Sequence, residues 1–175
     1  MIVFYESANT EFEPGETEQV VNQEQSPRTG DTLSMGCDRQ WIVLDVDTYT
    51  NGSNNVYVAH CEPVGVEPLP REKWYWVKSY KEGLLAGEAN SLKLFVSDGK
   101  LVSDIAPGMP GLGTGPLVPQ IRTVLPTFNI GEHTTSLSAW GIVAIDEYSP
   151  EEDKQLIFAR VYVCTCECIP ELAAA

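Results

Sequence analysis

Residues 41–62 of this chain are written a second time at 140–167. Trp41, Asp47 and Tyr49 align without a gap on Trp140, Asp146 and Tyr148. After a turn, Val56, Tyr57, Val58, Cys61 and Glu62 align on Val161, Tyr162, Val163, Cys166 and Glu167. Self-similarity at this spacing predicts two copies of one supersecondary unit. It also acts as a filter. Residues shared by both copies read as scaffold, and residues present in one copy become the candidates for function.

Each copy has the grammar of a β-hairpin. Ile42, Leu44 and Val46 alternate with Val43, Asp45 and Asp47, a period of two. Asn51 and Gly52, inside a polar hexapeptide, close a hairpin onto Val56–Cys61. Trp74–Val77, Ser91–Val96, Lys100–Val102, Gln120–Leu125, Leu137–Asp146 and Leu156–Cys168 read as further strands. Lys81–Glu88 could supply at most two helical turns. Many short strands with turn signals between them predict an all-β chain, a barrel or sandwich with little or no helix.

The second copy carries Gly131-Glu132, then Gly141-Ile142-Val143 with Ile145, then Val161 and Val163. This pattern resembles SH3-like small β-barrels, in which a Gly-acid pair opens the first strand and a long hairpin returns as Val-x-Val. The resemblance implies duplicated small barrel or sandwich units. Such folds host peptide binding, nucleic-acid binding and scaffolding, so it implies no single function. The expected layout is an acidic N-terminal arm at 1–29, a first β unit at 30–104, a Gly/Pro-rich connector at 105–119, a second β unit at 120–170 and a tail at 171–175.

Twenty-five acids against eleven bases leave a net charge of −14 over 175 residues. That balance argues against general binding to nucleic acid or anionic membrane, since both need clustered Lys and Arg. No basic start precedes an apolar run, so no secretion signal is expected, and no stretch is long enough for a membrane helix. Five cysteines without an export signal suggest thiols rather than a disulfide framework. The localisation expected is cytoplasmic, or a virion if the protein belongs to a bacterial virus.

Three motifs invite chemistry. Cys164, Cys166 and Cys168 share one face of a strand. Their spacing of about 6.6 Å is wide for thiolates each ~2.3 Å from one zinc. Cys166 aligns on Cys61 and Cys164 on Ala59, which favours core packing. The alternative is a metal site gathered across strands from Cys37, His60 and Cys168. Asp45 and Asp47 lack the spacing of a phosphatase loop or a calcium loop, and Asp47 is repeated as Asp146. His60 and His133 are unshared; His60 aligns on Thr165, opposite the cysteine face, and reads as solvent-facing or hydrogen-bonded. The glycines between Gly108 and Gly115 lack the lysine of a phosphate loop. No cofactor and no catalytic constellation is expected.

The stretch from Arg71 to Lys81 concentrates aromatic and basic side chains. Arg71, Lys73, Trp74, Trp76, Lys78 and Lys81 form the candidate partner-binding strip, with both tryptophans on one strand face. Trp, Tyr and Arg dominate binding hot spots. The leading expectation is a non-enzymatic structural or interaction protein docking into a larger assembly through the acidic arm and this strip. Its partners would be copies of itself or a capsid or tail protein; a capsid cement or neck protein of a bacterial virus would fit. The alternative is a ligand-binding or metal-dependent, cupin-like β-barrel.

Overall fold

The computed structural model describes residues 1–74, 90–97, 100–101, 124–126, 139–152 and 158–168. The chain is mostly β, as its alternating pattern requires. It divides into two compact units, Met1–Ala89 with Ser149–Ala159 and Asn90–Tyr148 with Arg160–Ala175.

In the first unit β1 (Ile2–Ser7) lies between β2 (Gln19–Asn22), antiparallel, and β5 (Asn54–Pro63), parallel. On the other side of β5 runs β4 (Gln40–Asn51), whose start also pairs with β3 (Thr32–Ser34). The β4–β5 hairpin closes at Asn51 opposite Asn54, where Gly52 takes a φ of 60°. That left-handed conformation suits a residue without Cβ. Residues 1–29 are therefore not an arm. The acidic composition is real, but Val3, Phe4 and Tyr5 are buried because β1 is an internal strand with hydrogen-bonded neighbours on both edges.

One face of this sheet packs Val3, Tyr5, Met35, Trp41, Val43, Ala59 and Cys61 into a core. The alternation along β4 does not run unbroken. A bulge falls between Val43, which pairs with Cys61, and Asp45, which pairs with His60. The extra residue, Leu44, shifts the parity, so Val43 and Val46 both meet the core although they are three apart. Asp45, Asp47 and Tyr49 are thereby turned to the opposite face, where His60 and Glu6 also point. On that face the Tyr49 hydroxyl donates to the Phe158 carbonyl at 2.6 Å, and the Phe4 and Phe158 rings meet edge to face.

The second unit contains β6 (Asn90–Ser97), β7 (Lys100–Leu101), β8 (Val124–Pro126) and most of β9 (Ala139–Pro150) and β10 (Phe158–Cys168). Its neighbours follow the order β7-β6-β10-β9 with β8 on β9; the first unit reads β2-β1-β5-β4 with β3 on β4. The registers also correspond. Leu33 pairs with Trp41 and Leu125 with Trp140. Val43 pairs with Cys61 and Ile142 with Cys166, and the bulge follows at Leu44 in one hairpin and Val143 in the other. Phe95, Ile142, Tyr162, Cys164 and Cys166 form the second core.

These pairings place the boundaries elsewhere than expected at 30, 105 and 120. The first unit starts with β1. β6 and β7 belong with β8–β10, so 105–119 falls inside the second unit rather than between units. That segment and the tail at 171–175 lie outside the described residues. The reason for the shift is that β1 and β6 bond to strands far along the chain.

Candidate functional site

The face of the first unit created by the bulge carries a cluster of charged groups. The His60 Nδ1 lies 2.7 Å from Glu6 Oε1, and its Nε2 lies 2.8 Å from Asp47 Oδ2. Arg71 donates to both Asp47 oxygens, at 2.9 and 2.7 Å, and to Asp45 Oδ2 at 2.7 Å. The Trp74 ring stacks beside this group, 5.5 Å from the His60 ring and 5.6 Å from the Arg71 guanidinium carbon. Glu6, Asp47 and His60 are each at most 4% exposed. Such ions are tolerated in a dry interior only when paired and hydrogen-bonded.

The partners come from four elements. β1 supplies Glu6, β4 supplies Asp45 and Asp47, β5 supplies His60, and a helical turn at 71–74 supplies Arg71 and Trp74. Burial by itself would push the His60 imidazole down. The hydrogen bonds and charges of Asp47 and Glu6 outweigh it and raise its pKa. Burial opposes the Arg71 charge too, and Asp47 and Asp45 again prevail. The arrangement ties three strands to the 71–74 turn, the strap, through ion pairs.

Two smaller ties hold the rest of the acidic stretch. Buried Glu62 accepts from the Asn9 and Thr10 amides at 2.6 and 3.1 Å and from the Thr10 hydroxyl. Glu16 accepts from Arg39 Nε at 3.0 Å, Arg39 Nη2 at 2.5 Å and Trp41 Nε1 at 3.0 Å. The Arg39 hydrogen bonds hold the Glu16 carboxyl at about 2, well below the ordinary 4.5. A depressed carboxyl stabilises the fold above its unfolded value and ceases to do so as pH falls through its folded value. Acid titration followed by Trp fluorescence is therefore expected to show a step between about pH 4.5 and 2. Glu16→Gln should abolish that step while leaving the neutral-pH spectrum in place.

The structure places three residues of the predicted partner strip, Arg71, Lys73 and Trp74. Residues 71–74 are helical rather than extended, so Trp74 turns inward and is 4% exposed. Arg71 is engaged by Asp45 and Asp47, because two carboxylates on the bulged face need a cation. Lys73 is exposed. Trp76, Lys78 and Lys81 lie outside the described residues.

The alternative metal set is not assembled around His60. Both its ring nitrogens face carboxylates, and Cys37 Sγ instead lies 3.4 Å from the Pro14 carbonyl. Cys168 ends β10, and its side chain lies outside the described residues. Among the described residues no group of three or more His, Cys, Asp and Glu is set to hold a metal. Cys61, Cys164 and Cys166 are buried thiols, and burial raises the pKa of each.

The sequence pattern places neither Glu6 nor Arg71 beside His60. A signal for Glu6 existed: Phe4 to Ser7 matches Leu94 to Ser97 in pattern, and Tyr5 and Phe95 occupy the two cores. Extending the repeat backward would have placed Glu6 in a strand.

Comparison with protein families, curated proteins and solved structures finds no significant match. The chemistry must be read from the residues themselves. Among the described residues no helix is long and apolar enough to cross a membrane.

Proposed function

We propose that this chain is a non-enzymatic interaction protein, built as a tandem of one five-stranded unit, that docks into a larger assembly. The observation that carries the reading is a loop of exposed apolar side chains, hydrogen-bonded near both ends, next to the 71–74 turn. Val64, Val66 and Leu69 are 56, 44 and 42% exposed. Both ends of the loop are pinned: Val64 N donates to the Gln40 carbonyl at 2.9 Å and Trp74 Nε1 to the Leu69 carbonyl at 2.8 Å. Pro68 and Pro70 restrict the segment further. A preformed apolar loop loses little entropy on binding, so its burial converts efficiently into affinity.

The proposed contact surface is therefore Val64 to Leu69 with Lys73. The Trp74 indole N–H ties the surface to the 71–74 turn through the Leu69 carbonyl. The paired cores and the matching hairpins support a duplicated small-barrel ancestry of the kind seen in SH3-like modules. A cytoplasmic adaptor or a capsid cement or neck protein would use such a module in the same way. The ionic cluster serves cohesion in this reading, because its charged groups bond to one another.

Size fractionation of lysate from the native source tests the proposal. The wild-type chain should migrate well above its monomer mass, and Val66→Asp with Leu69→Asp should return it to the monomer position with its circular dichroism unchanged. A wild-type chain that runs as a monomer in the lysate would overturn it. Stoichiometric metal in the purified protein would favour the cupin-like alternative.

A further inference from the structure

The two units carry different chemistry at corresponding positions. Glu6, His60 and Asp45 in the first correspond to Val96, Thr165 and Ala144 in the second. Asp47 corresponds to Asp146, but Asp47 is buried and Asp146 is exposed. Only the first hairpin thus has an imidazole sealed between two carboxylates.

With both carboxyls ionised, the geometry around His60 calls for two N–H donors. A neutral imidazole has one N–H and one lone pair. With Glu6 at 2.7 Å on one nitrogen and Asp47 at 2.8 Å on the other, the neutral form would set its lone pair against a carboxylate. No water can relieve that contact, because the His60 side chain has 0% exposure. The surrounding charges are of both signs: Arg71 from the 71–74 turn bonds Asp45 and Asp47 of β4 and opposes the imidazolium, while Glu62 follows on β5 two residues beyond His60 and favours it. The neighbouring titratable groups Tyr49 and Cys61 stay protonated, since burial raises the first and pushes the second up to about 12.

We propose that His60 is a proton-operated latch. Its imidazolium fastens β1 and the 71–74 strap to the first unit, and loss of the proton loosens both while the second hairpin stays intact. The sign follows from linkage. A histidine whose folded pKa is raised stabilises the fold fully below its unfolded value of about 6.5, and the contribution is lost as pH rises through the folded value. Between those two values the opening constant should rise about tenfold per pH unit, then level off.

Hydrogen exchange of the full chain between pH 6 and 10, corrected for the intrinsic pH dependence of exchange, is the test. Amides of residues 2–7 and 71–74 should lose protection about tenfold per pH unit, while those of 160–167 keep theirs. In His60→Gln the protection of 2–7 should be lower throughout and flat with pH. Unchanged protection of 2–7 in the wild type would overturn the proposal, as would an equal pH response in His60→Gln or simultaneous loss in both units. Should that variant fail to fold, the imidazole NMR titration of wild-type His60 decides. Deprotonation near pH 6.5 with β1 still protected would overturn the latch.

Discussion

Asp47→Ala should destabilise the first unit by about 3–5 kcal/mol, the usual loss when one partner of a buried ion pair is removed. The carboxylate is 1% exposed and accepts from both His60 and Arg71, so its loss leaves the buried His60 with Glu6 alone and the partly exposed Arg71 with Asp45 alone. Asp146→Ala, the same substitution at the corresponding place, should change stability by no more than about 0.5 kcal/mol, because Asp146 is solvent-exposed. Calorimetry of the two variants makes the comparison directly. For a unit of this size Asp47→Ala should lower Tm by at least about 12 °C. Equal melting of the two variants would show that the cluster contributes nothing particular. Replacing Glu6, His60, Asp45, Asp47 and Arg71 together by well-packed apolar residues should be far less damaging than Asp47→Ala, since no charge is then left without a partner.

Deletion of residues 1–7 should unfold the first unit rather than trim an appendage. Burial of Val3, Phe4 and Tyr5 contributes roughly 5–9 kcal/mol at the usual value per side chain. That is comparable to the whole stability of a typical domain, about 5–15 kcal/mol. The deletion also exposes the β5 edge along six paired positions, Val56 to Cys61, and removes Glu6 from His60. Near-ultraviolet circular dichroism should lose the signal of Trp41, whose core includes Val3 and Tyr5. A deleted chain with an intact spectrum would restore the picture of an arm. This outcome separates the two views of the N-terminus, because an arm docked on a partner would leave the purified chain folded.

The hairpins were legible because their signals are local. The period of two, the Asn51-Gly52 turn and the repeated Trp, Asp, Tyr and Cys positions all lie within short stretches, and the pairing of β4 with β5 follows them. The place of β1 was not legible. Its parallel partner begins at Val56, and in between lies a stretch whose acids look solvated. Glu16, Glu62 and Glu6 are nonetheless buried, each opposite a donor from elsewhere in the chain. Composition reports the charge of a residue and not the donor that neutralises it.

The bulge at Leu44 shows the same limit on a smaller scale. Simple alternation puts Asp45 and Asp47 on the face of Val43, which is core. One unpaired residue reverses that assignment and turns both carboxylates toward His60 and Arg71. The sequence pattern predicts a strand at Trp74–Val77. It sits on a helical turn because the ring packs against His60 and Arg71 and its indole N–H bonds to the Leu69 carbonyl.

By itself the sequence determined the β class, the two related hairpins and the inward-facing cysteines, since periodicity and turn chemistry act between near neighbours. Tertiary structure alone decided that the N-terminal stretch is a central strand and that His60 sits sealed between Glu6 and Asp47. Those outcomes depend on hydrogen bonds and ion pairs between residues up to 54 positions apart. Such contacts become favourable only once the sheet has brought the partners together and removed the water that would otherwise solvate them.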